Sequence, residues 1–151
     1  VADTKKVYLD AFVREWATRK RSTADATILR KSVEAHLGRM AKIFTDHDPL
    51  LKSVGMIILI YHYFRLLEKV GRIGDVKRKQ FEQFEHARTA NRVLAENDLS
   101  QASYDLLEFD KLVQTPNDAF ATKFRLSIMI RFMRDELGVK LPERHSYTDF
   151  T

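Results

Sequence analysis

The sequence predicts an all-α fold, a single domain of about five or six helices packed around a central hydrophobic helix. Three observations predict it. Glycine and proline are scarce, 5 and 3 among 151 residues, so little in the chain interrupts long helices. Apolar residues recur at three- and four-residue steps, the period of one helix face. No segment alternates apolar and polar residues as a half-buried strand does, and no internal repeat is present.

The first helix is expected from about Thr4 to Arg19, with Asp3 at its N-cap and Tyr8, Leu9, Phe12, Val13 and Trp16 on one face. The run Arg19-Lys20-Arg21-Ser22-Thr23 breaks the pattern. A second helix is expected from about Ala24 to Phe44, striped by Ile28, Leu29, Val33, Leu37, Met40 and Phe44. Thr45-Asp46-His47-Asp48-Pro49 reads as a turn, with Pro49 suited to the first turn of the next helix.

The third helix is expected over Leu50 to Val70 and is apolar nearly all round from Val54 to Phe64, which suits a helix touched on several sides. Gly71 fits the left-handed position after its end. Asp75 is the expected N-cap of a fourth helix ending near Glu96, with Val76, Phe81, Phe84, Ala87, Val93 and Leu94 apolar. A shorter helix covers about Gln101 to Val113. Thr115-Pro116-Asn117-Asp118 forms a turn in which Asn117 or Asp118 caps the last helix, Ala119 to Leu137, closed by Gly138. The helical domain is thus expected over residues 1–138 and an extended tail, with Pro142, Tyr147 and Phe150, over 139–151.

Composition excludes several classes. Hydrophobic residues make up 44% and charged residues 31%, a globular mix and not a disordered one. Cysteine is absent, so disulfides, thiolate metal sites and a cysteine nucleophile are excluded, and a reducing, cytoplasmic setting is expected. The longest apolar run, Val54 to Tyr61, falls far short of the roughly 20 residues of a membrane span. The chain does not begin with Met, and a helical domain belonging to a larger protein, with the remainder upstream, is expected.

Net charge is +5, and the excess lies in residues 1–100, with 19 basic and 13 acidic side chains against 7 and 8 in 101–151. The basic clusters are Arg19-Lys20-Arg21 and Lys77-Arg78-Lys79, the latter followed on the same helix by Arg88 and Arg92. Cations spaced by helical turns can track phosphates, so Lys77, Arg78, Lys79, Arg88 and Arg92 are the candidate nucleic-acid contacts; the plain alternative is a solvated or internally paired helix face.

Other constellations stand beside simpler readings. Arg30 and His36 have the Arg-x5-His spacing; in helical ribonucleases of the HEPN group such a pair supplies an acid–base imidazole and a phosphate-steadying guanidinium. With 14 Arg and 5 His in the chain, one such pair is expected by chance. His62, within an apolar helix, reads as a core histidine, and His47 between Asp46 and Asp48 as a solvated loop before a metal site. In the acidic set Asp105, Glu108 and Asp110, the pair Asp105 and Glu108 shares a face and has the chemistry to hold Mg²⁺, whereas Asp110 points elsewhere; the simpler reading is a solvated or internally paired face, with Glu108 suited to Lys111. No phosphate loop or nucleophile elbow is present, and neither a metal, a cofactor nor a catalytic residue is assigned.

One series of segments has a wider likeness. It comprises Ser53-Val54-Gly55-Met56, Tyr61-His62-Tyr63-Phe64-Arg65, Phe81-Glu82-Gln83-Phe84-Glu85, Arg88-Thr89-Ala90-Asn91-Arg92, Leu106-Leu107-Glu108-Phe109-Asp110 and Gln114-Thr115-Pro116-Asn117-Asp118. Across residues 50–135 it resembles the helical region that follows the ParB/sulfiredoxin-like domain in a prokaryotic family including GmrSD-type restriction and anti-phage proteins. The resemblance implies a non-catalytic helical accessory domain that positions DNA or an upstream catalytic domain of the same polypeptide. The family's chemistry is implied to lie upstream, at an Asp-Gly-Gln-Gln-Arg motif that this sequence lacks. Within the resembling segments Arg88, Asn91, Arg92, Asn117 and Asp118 are the polar positions to follow. Two alternatives remain: the Arg30/His36 ribonuclease, and a helical protein-interaction or homodimerisation module, suggested by two adjacent apolar faces on the last helix.

Overall fold

A computed structural model describes residues 6–18, 23–115 and 118–141. The expected roles of Asp3, Arg19-Lys20-Arg21, Asn117 and the tail residues Pro142, Tyr147 and Phe150 lie outside these residues. Six α-helices follow one another: α1 (Lys6–Thr18), α2 (Thr23–Met40), α3 (Val54–Lys69), α4 (Arg78–Asn97), α5 (Tyr104–Lys111) and α6 (Ala119–Asp135). Single 3-10 turns punctuate them at Pro49–Leu51, Ile73–Asp75, Leu99–Gln101 and Leu112–Gln114. No strand occurs among the described residues, and the chain is all-α.

α3 is the centre, as its all-round apolar character predicts. It buries Gly55, Met56, Leu59, Ile60, Tyr63, Phe64, Leu66 and Leu67. α6 lies against it and buries Leu126, Ile128, Met129, Ile130 and Met133. α4 adds Phe81 and Phe84, and α5 adds Leu106 and Phe109. Aromatic rings join these layers. Phe81 meets Phe44 at 5.3 Å and Tyr63 at 5.7 Å between centroids, and Phe84 meets Phe109 at 5.0 Å and Phe132 at 5.1 Å. Such pairs add to the stabilisation that burial supplies.

The helix ends follow local chemistry. α3 stops in a Schellman motif, with Gly71 at φ 70° donating to Glu68 O and Arg72 donating to Leu67 O. Asp118 caps α6 by accepting from Ala121 N at 2.9 Å, and Gly138, at φ 64°, turns the chain back after it. Val139 and Leu141, just past that turn, are buried in the core. α3 begins at Val54 and not at Leu50, because Asp48 caps a separate 3-10 turn and Ser53 then caps the helix. α4 begins at Arg78 and not after Asp75. Asp75 closes a 3-10 turn, and the amide of Lys77 at the N-cap donates to the Gln80 side chain at 2.9 Å.

The N-terminal helices differ from the body. α1 buries no residue, and Tyr8, Leu9, Phe12 and Val13 on its apolar face are 47–63% exposed. In α2 only His36 and Met40 are buried. Leu29, Val33, His36 and Met40 follow one helix face, yet Leu29 is 51% exposed. The apolar seam therefore runs on past the part of α2 that α3 covers.

Candidate functional site

The charged residues singled out in the sequence sort themselves by partner. Arg88, on α4, is buried with its side chain 8% exposed. Its Nε donates to Asp110 Oδ1 at 2.8 Å, its Nη2 reaches the same oxygen, and its Nη1 donates to Glu85 Oε2 at 2.5 Å. Arg92, one turn on, donates to the other oxygen, Asp110 Oδ2, at 3.1 Å and to the Thr89 hydroxyl at 3.0 Å. Asp110 thus gathers both arginines and fastens α5 to α4. Arg78 is engaged as well: it donates to Asp48 from Nε at 3.0 Å and from Nη2 at 3.2 Å, and it pairs with Glu82.

Of the five candidate nucleic-acid contacts, Lys77 and Lys79 are exposed, and Arg92 is half-exposed beside Asp110. Arg88 and Arg78 are structural cations. Asn91, in the same segment, is also structural. Its amide donates to Ser103 O at 3.1 Å and its carbonyl accepts from Ser103 N at 2.6 Å, a peptide-like clamp on the loop before α5.

Behind Asp110 lies a group that sequence reasoning did not single out. Arg125, on α6, is 1% exposed. Its guanidinium carbon stands 4.6 Å from the centroid of Phe109, as does that of Arg88. Nη2 contacts Met56 Sδ at 3.6 Å, and Nε has no hydrogen-bond partner among the described residues. Burial, reinforced by the charge of Arg88 and opposed by Asp110, lowers its pKa to about 10. An arginine inside an apolar helical stretch carries no local signal of this environment.

The remaining candidates separate. Arg30 is 70% exposed and lies 3.6 Å from Glu34, whereas the His36 side chain is 6% exposed. A six-residue spacing turns the helix by about 240°, and the two residues occupy different faces. His36 Nδ1 lies 2.6 Å from Ser32 O and Nε2 2.6 Å from Glu68 Oε2, with Arg39 completing the cluster on Glu68. The ring edge meets Tyr61 at 5.5 Å. His36 is a fastening of α2 to α3 and is not brought to Arg30.

His47 is exposed at φ 52°, 3.7 Å from Asp46, while Asp48 turns inward to Arg78. The three do not converge. Burial alone would raise the Asp48 pKa, but the bonds from Arg78 and from the amides of Leu50 and Thr45 outweigh it and hold it at about 2. In the acidic set, each carboxylate faces its own cation: Asp105 meets Arg131 at 2.6 Å, Glu108 meets Lys111 at 3.2 Å, and Asp110 meets Arg88. Among the described residues no group of three or more His, Asp or Glu is arranged to hold a metal. His62 has its pKa lowered to about 4 by burial first, with nearby positive charge, that of Arg65 included, adding to it. A groove of about 270 Å³ between α5 and α6 is lined by Asp105, Arg131, Asp135 and Glu136 over an apolar floor of Leu106, Ile128 and Phe132.

The fold and this site define a class: an all-helical domain in which the buried charges Asp48 and Arg88 are paired within the structure. No helix among the described residues is long and apolar enough to cross a membrane. Comparison with protein-family models, with curated proteins and with solved structures finds no match in any of the three.

Proposed function

We propose that this chain is a non-catalytic helical accessory domain that works by docking its N-terminal helices on another polypeptide surface. One observation carries the reading: α1 presents Tyr8, Leu9, Phe12 and Val13 on one face, and α2 presents Leu29 and Leu37, at 46–63% exposure. Scattered exposed apolar residues are ordinary, but a stripe that follows helical periodicity and continues a buried seam marks a contact surface. The internal pairing of the carboxylates and arginines supports the non-catalytic part, since the candidate acids and bases of the body serve helix junctions.

In the ParB-like restriction proteins that the sequence resembles, the docked unit would be the catalytic domain of the same polypeptide. A photo-crosslinking amino acid at position 12, in cells making the protein, tests the docking. A discrete crosslink is expected there, with none from the same probe at Lys79; a crosslinked peptide pair within one chain marks a domain of the same polypeptide, and a raised mass marks a separate partner. Loss of specificity between the two positions refutes the docking.

DNA contact is the second reading, favoured by the exposed Lys77 and Lys79 at the start of α4. A helix N-terminus adds its own attraction for phosphate. The reading rests on those two lysines and on half-exposed Arg92 in place of five cations.

A further inference from the structure

We propose that the buried guanidinium of Arg125 and the first turn of α3 form a binding site for a phosphoryl group. The site lies in the body of the domain and does not depend on the docking of α1 and α2. Arg125 is 1% exposed, yet among the described residues it meets no oxygen acceptor. Its Nη2 touches Met56 Sδ at 3.6 Å, and its Nε has no partner; a thioether is a weak acceptor, and a guanidinium has five N–H donors. Stacking on Phe109, with 4.6 Å to the centroid, engages the face of the guanidinium and leaves the donors along its edge unpaired. The carboxylates on the neighbouring helices are taken: Asp110 binds Arg88 and Arg92, and Glu85 binds Arg88. Buried donors without a partner are rare in folded proteins and point to an ion or water at the site.

The second element is the start of α3, a helix of 16 residues capped by Ser53. The amides of Val54 and Gly55 belong to the first turn, which no helix satisfies from within. Those amides and the helix dipole favour an anion. Met56 is the third residue of α3, and a helical side chain leans over the turn before its own Cα. Contact with Met56 Sδ therefore brings Nη2 of Arg125 to the same helix start. Val54 is 67% exposed, so this end of α3 opens to solvent. Met56 is the cover. Its unbranched, adaptable side chain can swing aside and uncover Nη2 without a backbone change.

The donor set favours a phosphoryl group. A planar guanidinium fork matches two oxygens of a phosphate or a carboxylate. A phosphate has further oxygens for the amides of Val54 and Gly55, which a carboxylate held by the fork lacks.

Nitrogen–proton NMR on the full chain, titrated with inorganic phosphate against sodium chloride at equal ionic strength, tests this. Saturable movement of the Arg125 Nε–H and Gly55 amide signals is expected with phosphate and not with chloride. Arg125→Met should fold, since replacing a buried charge by an apolar side chain of similar volume is often neutral or stabilising. It should weaken phosphate binding by roughly 10- to 100-fold, the loss of a charge-assisted hydrogen bond. Arg125→Lys keeps the charge without the fork; it should weaken binding as well, and it serves if the methionine variant does not fold. No movement with phosphate, or an affinity unchanged in the variants, overturns the site. Movement of the Lys77 and Lys79 amides with Gly55 still would move the anion to α4 and overturn it equally. A stronger response to acetate than to phosphate overturns the phosphoryl assignment.

Discussion

Buried Arg88 and partly buried Asp110 form an ion pair between α4 and α5, with Nε 2.8 Å from Oδ1. The charge of Asp110 also opposes the fall in the pKa of buried Arg125. Removing the carboxylate leaves two guanidiniums against the ring of Phe109 with less to balance them. Breaking a buried pair from one side is costly because the surviving charge stays desolvated. Asp110→Ala should lower stability by about 3 kcal/mol in urea unfolding. Arg92→Ala, at a side chain 45% exposed, should cost less than about 1 kcal/mol. Equal losses for the two variants would contradict the division between buried and surface pairing.

Acid should destabilise the fold in two separate windows. The folded pKa of His62 lies at about 4, below the ordinary value of about 6.5. Its protonation therefore favours the unfolded chain. The contribution is complete above about pH 6.5 and declines as pH falls toward 4. Asp48 is also depressed, to about 2. Its contribution is present above about pH 4 and is lost as pH falls through 2. Midpoints of urea unfolding against pH should show the first decline flattened in His62→Gln and the second flattened in Asp48→Asn. A His62→Gln profile parallel to the parent between pH 6.5 and 4 would rule out the first assignment.

Much of this architecture is legible in sequence wherever its cause is local. Asp118 caps α6 from three residues away, Gly71 and Gly138 take left-handed backbone, and α3 is apolar on every side because it is central. What the sequence does not show is set by partners that are distant along the chain. Asp75 has the chemistry of an N-cap, but the turn that holds it ends before α4 begins. Arg88 and Arg92 look like a phosphate-tracking pair because Asp110 lies 22 and 18 residues away. The apolar face of α1 is legible in the sequence, but periodicity reports amphipathicity and not what covers that face.

His36 and Arg30 should behave independently. His36 lies between Ser32 O and Glu68 in the junction of α2 with α3, and the pair with Arg39 leans on the same carboxylate. His36→Ala should cost about 2 kcal/mol, in the range for losing a buried hydrogen-bonded group. Arg30→Ala should change stability by less than about 0.5 kcal/mol. In an RNA-cleavage assay neither substitution should matter, because the two groups do not face a common phosphate. Cleavage by the parent chain that both variants abolish would restore the ribonuclease reading and would require α2 to rearrange.

DNA binding through α4 should depend on salt less steeply than five free cations would make it. Each neutralised phosphate releases counterion, so five contacts would give a steep dependence of affinity on salt. With Arg88 and Arg78 committed to carboxylates, duplex DNA binding should show a shallow one. Lys77→Glu with Lys79→Glu should reduce the slope of log affinity against log salt by about 2 and leave the melting temperature unchanged. Arg88→Glu should instead unfold the α4–α5 junction, so any loss of DNA binding there would accompany loss of the fold. A parent slope that is steep and untouched by the lysine reversals would place the polyanion surface elsewhere on the chain.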